Sequence, residues 1–134
     1  REYVNLNGDE LRSLGIILVD GPSPSQENVV AYDPGGIEGL YNPYRINFVL
    51  DRKVVRAKVN LIDANDCCSN PQTHTIKAYI GNNVVNSAEF NDPGPGGAFS
   101  LEVSHPNGIE YIIIEESPQG FVVLDRLEYS YTQR

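Results

Sequence analysis

Three residues with hard oxygen ligands stand close together in one polar segment of the chain. Asp63, Asn65 and Asp66 open the sequence DANDCCSNPQ. Carboxylate and amide oxygens at this spacing resemble the start of a calcium-binding loop, because Ca²⁺ takes about six to eight oxygen ligands. The segment lacks the glycine and the distant glutamate of an EF-hand. A structural calcium site and a solvated turn therefore both remain open.

Asp125 is the fourth candidate metal ligand. Strict alternation along the last apolar run places it in a row with Phe121 and Leu127. A carboxylate in an apolar row needs a cation, a metal ion or backbone N–H groups. The alternative is a β-bulge, which lets Leu124 and Leu127 both face inward and turns Asp125 outward. Between metal ligation and a structural role, we favour the structural role.

Aromatic and polar side chains gather in the longest irregular stretch, residues 20–44, and just after it. A tyrosine ring suits the apolar face of a sugar, while carboxylate, amide and guanidinium groups hydrogen-bond its hydroxyls. Long loops of this kind are often functional. A sugar-binding loop and a set of aromatics that covers the open ends of the fold both remain open. The candidate ligand-binding residues in this region are Tyr32, Asp33, Tyr41, Asn42, Tyr44 and Arg45.

The two cysteines, Cys67 and Cys68, are adjacent. They cannot join distant strands, but they can close a vicinal disulfide or remain as thiols. Together with Asn70 and His74, which lie close in sequence, they complete the candidate ligand-binding residues. His74 alternates in phase with Ile76, so we favour a histidine at the edge of the core over a ligand.

The sequence contains no arrangement that predicts catalysis. His74 and His105 fall in different elements, and the chain has no Gly-x-Ser-x-Gly, Cys-x-x-Cys or His-Glu-x-x-His motif. Glu115 and Glu116 are consecutive, and a solvated strand end explains them better than a glycosidase pair. We therefore predict that the chain is not an enzyme.

Length and charge limit the possible partners. The 134 residues predict one domain, spanning 1–134, with a real core. A formal net charge of −8 argues against a nucleic-acid partner. No apolar run approaches the ~20 residues that span a bilayer, which argues against a membrane partner. The polar start and the absence of an initiator Met predict a processed domain, excised from a larger exported protein and flanked by neighbouring domains.

Short alternating apolar runs follow one another along the chain, closed by Gly, Pro, Asn or Asp clusters. Turn signals at Gly81-Asn82-Asn83 and at 105–108 separate some of them. The pattern predicts about eight to ten strands and an all-β, two-sheet antiparallel β-sandwich. The runs are 14–19, 28–32 (predicted as an edge strand), 45–50, 54–62, 73–80, 84–90, 98–103, 109–114 and 121–131.

Two motifs carry a family resemblance. The run TIKAYIGNNVV and the final LDRL resemble the galactose-binding-like β-sandwich (jelly-roll) domains of exported bacterial proteins. The resemblance implies a lectin-like carbohydrate-binding module, often with structural Ca²⁺, that binds glycan at loop tips or on a concave face. It also implies a secreted or cell-surface location. The chain departs from the pattern in having no Trp, so tyrosines must supply the stacking surface.

We therefore expect a non-catalytic carbohydrate-binding module. Its partner would be a glycan or polysaccharide, held by loop tyrosines and by hydrogen bonds from Asn, Asp and Arg. The alternative is a structural or adhesion β-sandwich domain that mediates protein–protein contacts and has no glycan ligand.

Overall fold

A computed structural model describes residues 3–6, 17–19, 27–32, 38–40, 43–49, 53–63, 71–94, 97–118 and 122–132. Nearly all of these residues lie in β-strands, and none lies in a helix that could cross a membrane. The strands are β1 (Tyr3–Leu6), β2 (Ile17–Val19), β3 (Glu27–Tyr32), β4 (Glu38–Leu40), β5 (Tyr44–Phe48), β6 (Val54–Asp63), β7 (Gln72–Ile80), β8 (Asn83–Asp92), β9 (Gly97–Ile109), β10 (Tyr111–Ser117) and β11 (Val122–Thr132).

The strands form two sheets that face each other. One is five-stranded, in the order β1-β5-β10-β7-β8, and the other is six-stranded, in the order β2-β3-β11-β6-β9 with β4 also pairing β11. The predicted β-sandwich is confirmed. Two details of the prediction are wrong: β1 and β5 pair in parallel, and β3 lies between β2 and β11 rather than at an edge.

The core forms where the inward rows of the two sheets meet. Along β6, Ala57, Val59 and Leu61 are buried while the residues between them are half-buried, as strand alternation requires. Ile112 and Ile114 supply the corresponding row from β10, the central strand of the five-stranded sheet. Burial of these rows is the main stabilising contribution to the fold.

A tight turn joins β7 to β8. The turn is made by Gly81 and Asn82, as the sequence predicted, and Gly81 has φ = 58°. A positive φ is cheap for glycine, which has no Cβ. The turn pairs Ile80 with Asn83 and Tyr79 with Val84, and a register shift between Ala78 and Tyr79 then brings Thr75 opposite Glu89.

The predicted turn at residues 105–108 is wrong, because β9 continues through it. Val54 pairs with Ile109 and Arg56 pairs with Ser104, so residues 105–108 bulge opposite a single residue of β6. Gly108, with φ = 106°, absorbs the distortion. After Ile109 the chain passes through Glu110 into β10 and thereby changes sheets.

Candidate functional site

Most of the predicted loop ligands lie outside the described residues. For Tyr32 only the backbone is described, at the end of β3 where it pairs with Leu127. The assignment of Tyr32, and of the residues outside the described ranges, as sugar ligands remains a prediction. The residues that fall outside the described ranges are Asp33, Tyr41, Asn42, Cys67, Cys68 and Asn70.

Tyr44 does not present its ring to a ligand, and the prediction that it stacks on a sugar is wrong. It is the first residue of β5 and has no exposed surface. Alternation along β5 puts Tyr44 in the same inward row as Ile46 and Phe48, so its ring fills the core.

Arg45 is the predicted ligand residue that lies on an exposed surface. It points away from Tyr44, onto the outer face of the five-stranded sheet. Its guanidinium carbon lies 3.7 Å from the ring centroid of Tyr111, within the range of a cation–π contact. Its Nε donates a hydrogen bond to Oδ1 of Asn47, which holds the guanidinium in place.

Two tyrosines continue this row across the sheet. Asn47 on β5 is the register partner of Tyr111 on β10, which is in turn the partner of Tyr79 on β7. The two rings stack in parallel, with centroids 4.7 Å apart and planes at 6°. Tyr111 also donates a hydrogen bond from its hydroxyl to the carbonyl of Gly81, at 2.7 Å. We call Arg45, Asn47, Tyr79 and Tyr111 the tyrosine face.

The tyrosine face combines a rigid aromatic stack with polar groups at its border. Tyr111 is covered by Arg45 on one side and by Tyr79 on the other, so it acts as a support. Tyr79 is half-buried, and among the described residues no second ring covers it. The uncovered face of Tyr79 can stack on a sugar, and the guanidinium and amide on the other side of Tyr111 can hydrogen-bond hydroxyls of a longer glycan.

A separate polar cluster lies inside the sandwich. His74 is fully buried, and its Nε2 lies 3.3 Å from Oδ2 of Asp92. Asp63 belongs to the same cluster: one potential ligand atom from each of the three residues lies within 4.8 Å of the other two. The predicted sugar contact from His74 is therefore wrong, because its ring cannot reach solvent.

The surroundings of this cluster shift two carboxyl pKa values in opposite directions. Burial alone would raise the pKa of Asp92, but a hydrogen bond from the Gly94 amide and side-chain hydrogen bonding with Asp63 and His74 hold it below its usual value. Burial, together with the charge of Asp63, raises the pKa of Glu116 to about 7. Glu116 thus holds a proton over a pH range in which an exposed glutamate is ionised.

The four predicted metal ligands do not form one site. The carboxylate of Asp63 is buried between the sheets, whereas Asp125 is exposed on β11. The pairing of β11 with β6 shifts register between Leu124 and Arg126, which is the bulge weighed as the alternative for Asp125. The structure thus has the bulge, and Asp125 as a metal ligand stays a prediction. Asn65 and Asp66 lie outside the described ranges.

Sequence reasoning missed several site residues for identifiable reasons. Glu116 was assigned to a solvated strand end, which is wrong: it is buried, because β10 extends to Ser117 and Glu116 continues the row of Ile112 and Ile114. The predicted run 84–90 stops short of Asp92, but β8 extends to include it. Alternation carried one or two residues further would have placed both of them on inward faces.

Comparison with known proteins shows the fold alone, which is that of a β-sandwich domain. No family model matches the chain, and no curated protein does. A solved structure of dimeric latent PorU from Porphyromonas gingivalis matches 85% of this chain at 15% identity, with a TM-score of 0.53. The match spans only 14% of the PorU chain.

Other solved structures are similar at lower TM-scores. A carbohydrate-binding module of Cellvibrio mixtus lichenase 5A in complex with cellotriose has a TM-score of 0.34 at 14% identity, covering 90% of this chain and 98% of that one. A pilus protein of Bacillus endospore appendages has a TM-score of 0.40 at 14% identity, covering 87% and 98%. The β-sandwich fold that the sequence resemblance implies is confirmed by the two facing sheets and by the match to PorU.

Proposed function

We propose that this domain is a non-catalytic carbohydrate-binding module that holds a neutral glycan on the tyrosine face. One observation carries the proposal, namely the stack of Arg45, Tyr111 and Tyr79 on the outer face of the five-stranded sheet. Such a stack keeps a flat apolar surface and hydrogen-bonding groups in fixed positions before the ligand arrives. Preorganisation of this kind reduces the entropy that binding must overcome.

In this proposal each residue has its own role. The ring of Tyr79 contacts the apolar C–H face of a sugar, and Tyr111 supports that ring from behind. The guanidinium of Arg45, oriented by Asn47, lies on the other side of Tyr111 from Tyr79, so it hydrogen-bonds hydroxyls of another sugar unit of the same glycan chain. The site is built on strands rather than on loops, which gives it a precise geometry. The same proposal includes that the domain is exported and is part of a longer protein, since a polysaccharide ligand would be bound outside the cell.

A glycan array followed by isothermal titration calorimetry tests the proposal. We expect the domain to bind at least one neutral glycan, and Tyr79→Ala and Arg45→Ala each to weaken that binding by on the order of tenfold. Arg126→Ala is the matched control, because Arg126 is partly exposed on the other sheet. Binding to no glycan, or equal affinities for the wild type and both variants, would contradict the proposal.

Two further predictions accompany this proposal. Calcium in the loop that follows Asp63 stays a prediction, and arrays run with Ca²⁺ and with a chelator show whether glycan binding depends on it.

The rival function is adhesion through protein–protein contacts. Exposed apolar side chains do occur at Val49, just after β5, and at Val84 and Phe90 on the edge strand β8. Self-association combined with an empty glycan array would favour the rival.

A further inference from the structure

Asp63, His74 and Asp92 bring donor atoms from both sheets to one buried point. Asp63 ends β6 of the six-stranded sheet, whereas His74 and Asp92 belong to β7 and β8 of the five-stranded sheet. All three residues are buried. Their potential ligand atoms lie within 4.8 Å of one another. Two carboxylates and an imidazole are a donor set found in protein zinc sites.

The distances suit a small ion. Zinc binds nitrogen and oxygen at about 2.0–2.2 Å in a tetrahedral arrangement, which places neighbouring ligand atoms about 3.3–3.6 Å apart. Nε2 of His74 lies 3.3 Å from Oδ2 of Asp92. This separation is that of the hydrogen bond between the two side chains, and it is also the separation of two ligands that share one ion.

The imidazole of His74 reaches the cluster through Nε2, so this nitrogen would bind the ion. Its Nδ1 has no hydrogen-bond partner among the residues that the structure describes, although the side chain is fully buried. Hydrogen bonds within the described part of the chain therefore do not account for both ring nitrogens of this histidine. A divalent cation would compensate the charges of the two buried carboxylates, Asp63 and Asp92.

We propose that Asp63, His74 and Asp92 bind one first-row transition-metal ion of the Zn²⁺ class, which fastens the two sheets together. An imidazole ligand favours such an ion over Ca²⁺, which prefers a larger set of oxygen atoms. Asp92 also lines a surface groove of about 350 Å³, together with Pro71, Gln72, Thr73, Asn91 and Pro93. In this proposal the ion reaches Asp92 through the groove, and a water molecule takes the fourth position. The site lies on inner faces, so it does not depend on the proposed glycan binding.

Metal titration of the chelator-treated protein tests this proposal. We expect one Zn²⁺ per chain by calorimetry, and a higher melting temperature with Zn²⁺ but not with Ca²⁺, because an ion that binds only the folded state stabilises it. Asp92→Asn should weaken Zn²⁺ binding by on the order of tenfold or more. Asp125→Asn makes the same chemical change at an exposed position and should leave the affinity unchanged.

Other possible zinc ligands are controlled separately. His105→Asn and the double variant Cys67→Ser, Cys68→Ser should both retain binding. Stabilisation by Ca²⁺ alone, no metal effect at all, or loss of zinc binding in the cysteine variant would each overturn the proposal. If Asp92→Asn does not fold, Co²⁺ bound to the wild type provides the readout. Absorption from nitrogen and oxygen ligands supports the site, and a thiolate charge-transfer band overturns it.

Discussion

Glu116 shows how a single buried acid links the stability of this domain to pH. Its side chain lies on the inner face of β10, close to Asp63, and its pKa is raised from 4.5 to about 7. Between these two values the folded state holds a proton that the unfolded chain has released. Stability therefore falls as the pH rises through this window.

Replacement of Glu116 removes this pH dependence. We expect Glu116→Gln to be more stable relative to the wild type at pH 8 than at pH 4, since the wild type must then bury a charge that the variant lacks. Urea unfolding at several pH values, with a chelator present, measures the difference. Glu115→Gln, on the outer face of the same strand, is the control and should keep the wild-type profile. Parallel pH profiles for the wild type and Glu116→Gln would contradict the assignment.

At the scale of elements, β10 places isoleucine side chains in two different environments. Ile112 has no exposed surface and packs in the core, whereas the next residue, Ile113, is half-buried on the outer face. We expect Ile112→Ala to reduce the free energy of unfolding by about 2–5 kcal/mol, because it leaves a cavity among close-packed side chains. Ile113→Ala should cost clearly less. Guanidinium denaturation measures both, and equal losses would contradict the assigned faces.

Local patterns predicted the strands better than they predicted the pairing between them. The alternation in β6 and β7 and the turn at Gly81 follow from neighbouring residues, so the sequence was sufficient there. The bulge at residues 105–108 looks like a turn locally, and only the pairing of β9 with β6 shows that the strand continues. Pairing depends on long-range packing, which one sequence does not contain.

The candidate sites show the same limit. Arg45 was predicted as a ligand residue from its position beside the tyrosine-rich loop. Its actual aromatic neighbours, Tyr79 and Tyr111, were not, because they come from strands far apart in sequence. His74 was correctly interpreted as buried from its phase with Ile76. Its partner Asp92 could be identified only once the pairing of β7 with β8 was known.

At the scale of the whole molecule, the charge restricts the ligands that we expect. The chain carries a formal net charge of −8. Its field repels polyanions, so we expect neutral glycans to bind and sulfated or uronic-acid polymers to bind weakly or not at all. Binding of a neutral glycan should also change little with salt, because no charge pair is screened. Array signals at low and high salt measure this, and preference for an acidic polymer would contradict it.

The most direct test of the central claim is an NMR titration of the labelled domain with a glycan that it binds. If the tyrosine face holds the sugar, the amide signals of Arg45, Asn47, Tyr79 and Tyr111 shift, and those on the outer face of the six-stranded sheet stay in place. Shifts confined to other surfaces, with the signals of these four residues unchanged at saturation, would contradict the account.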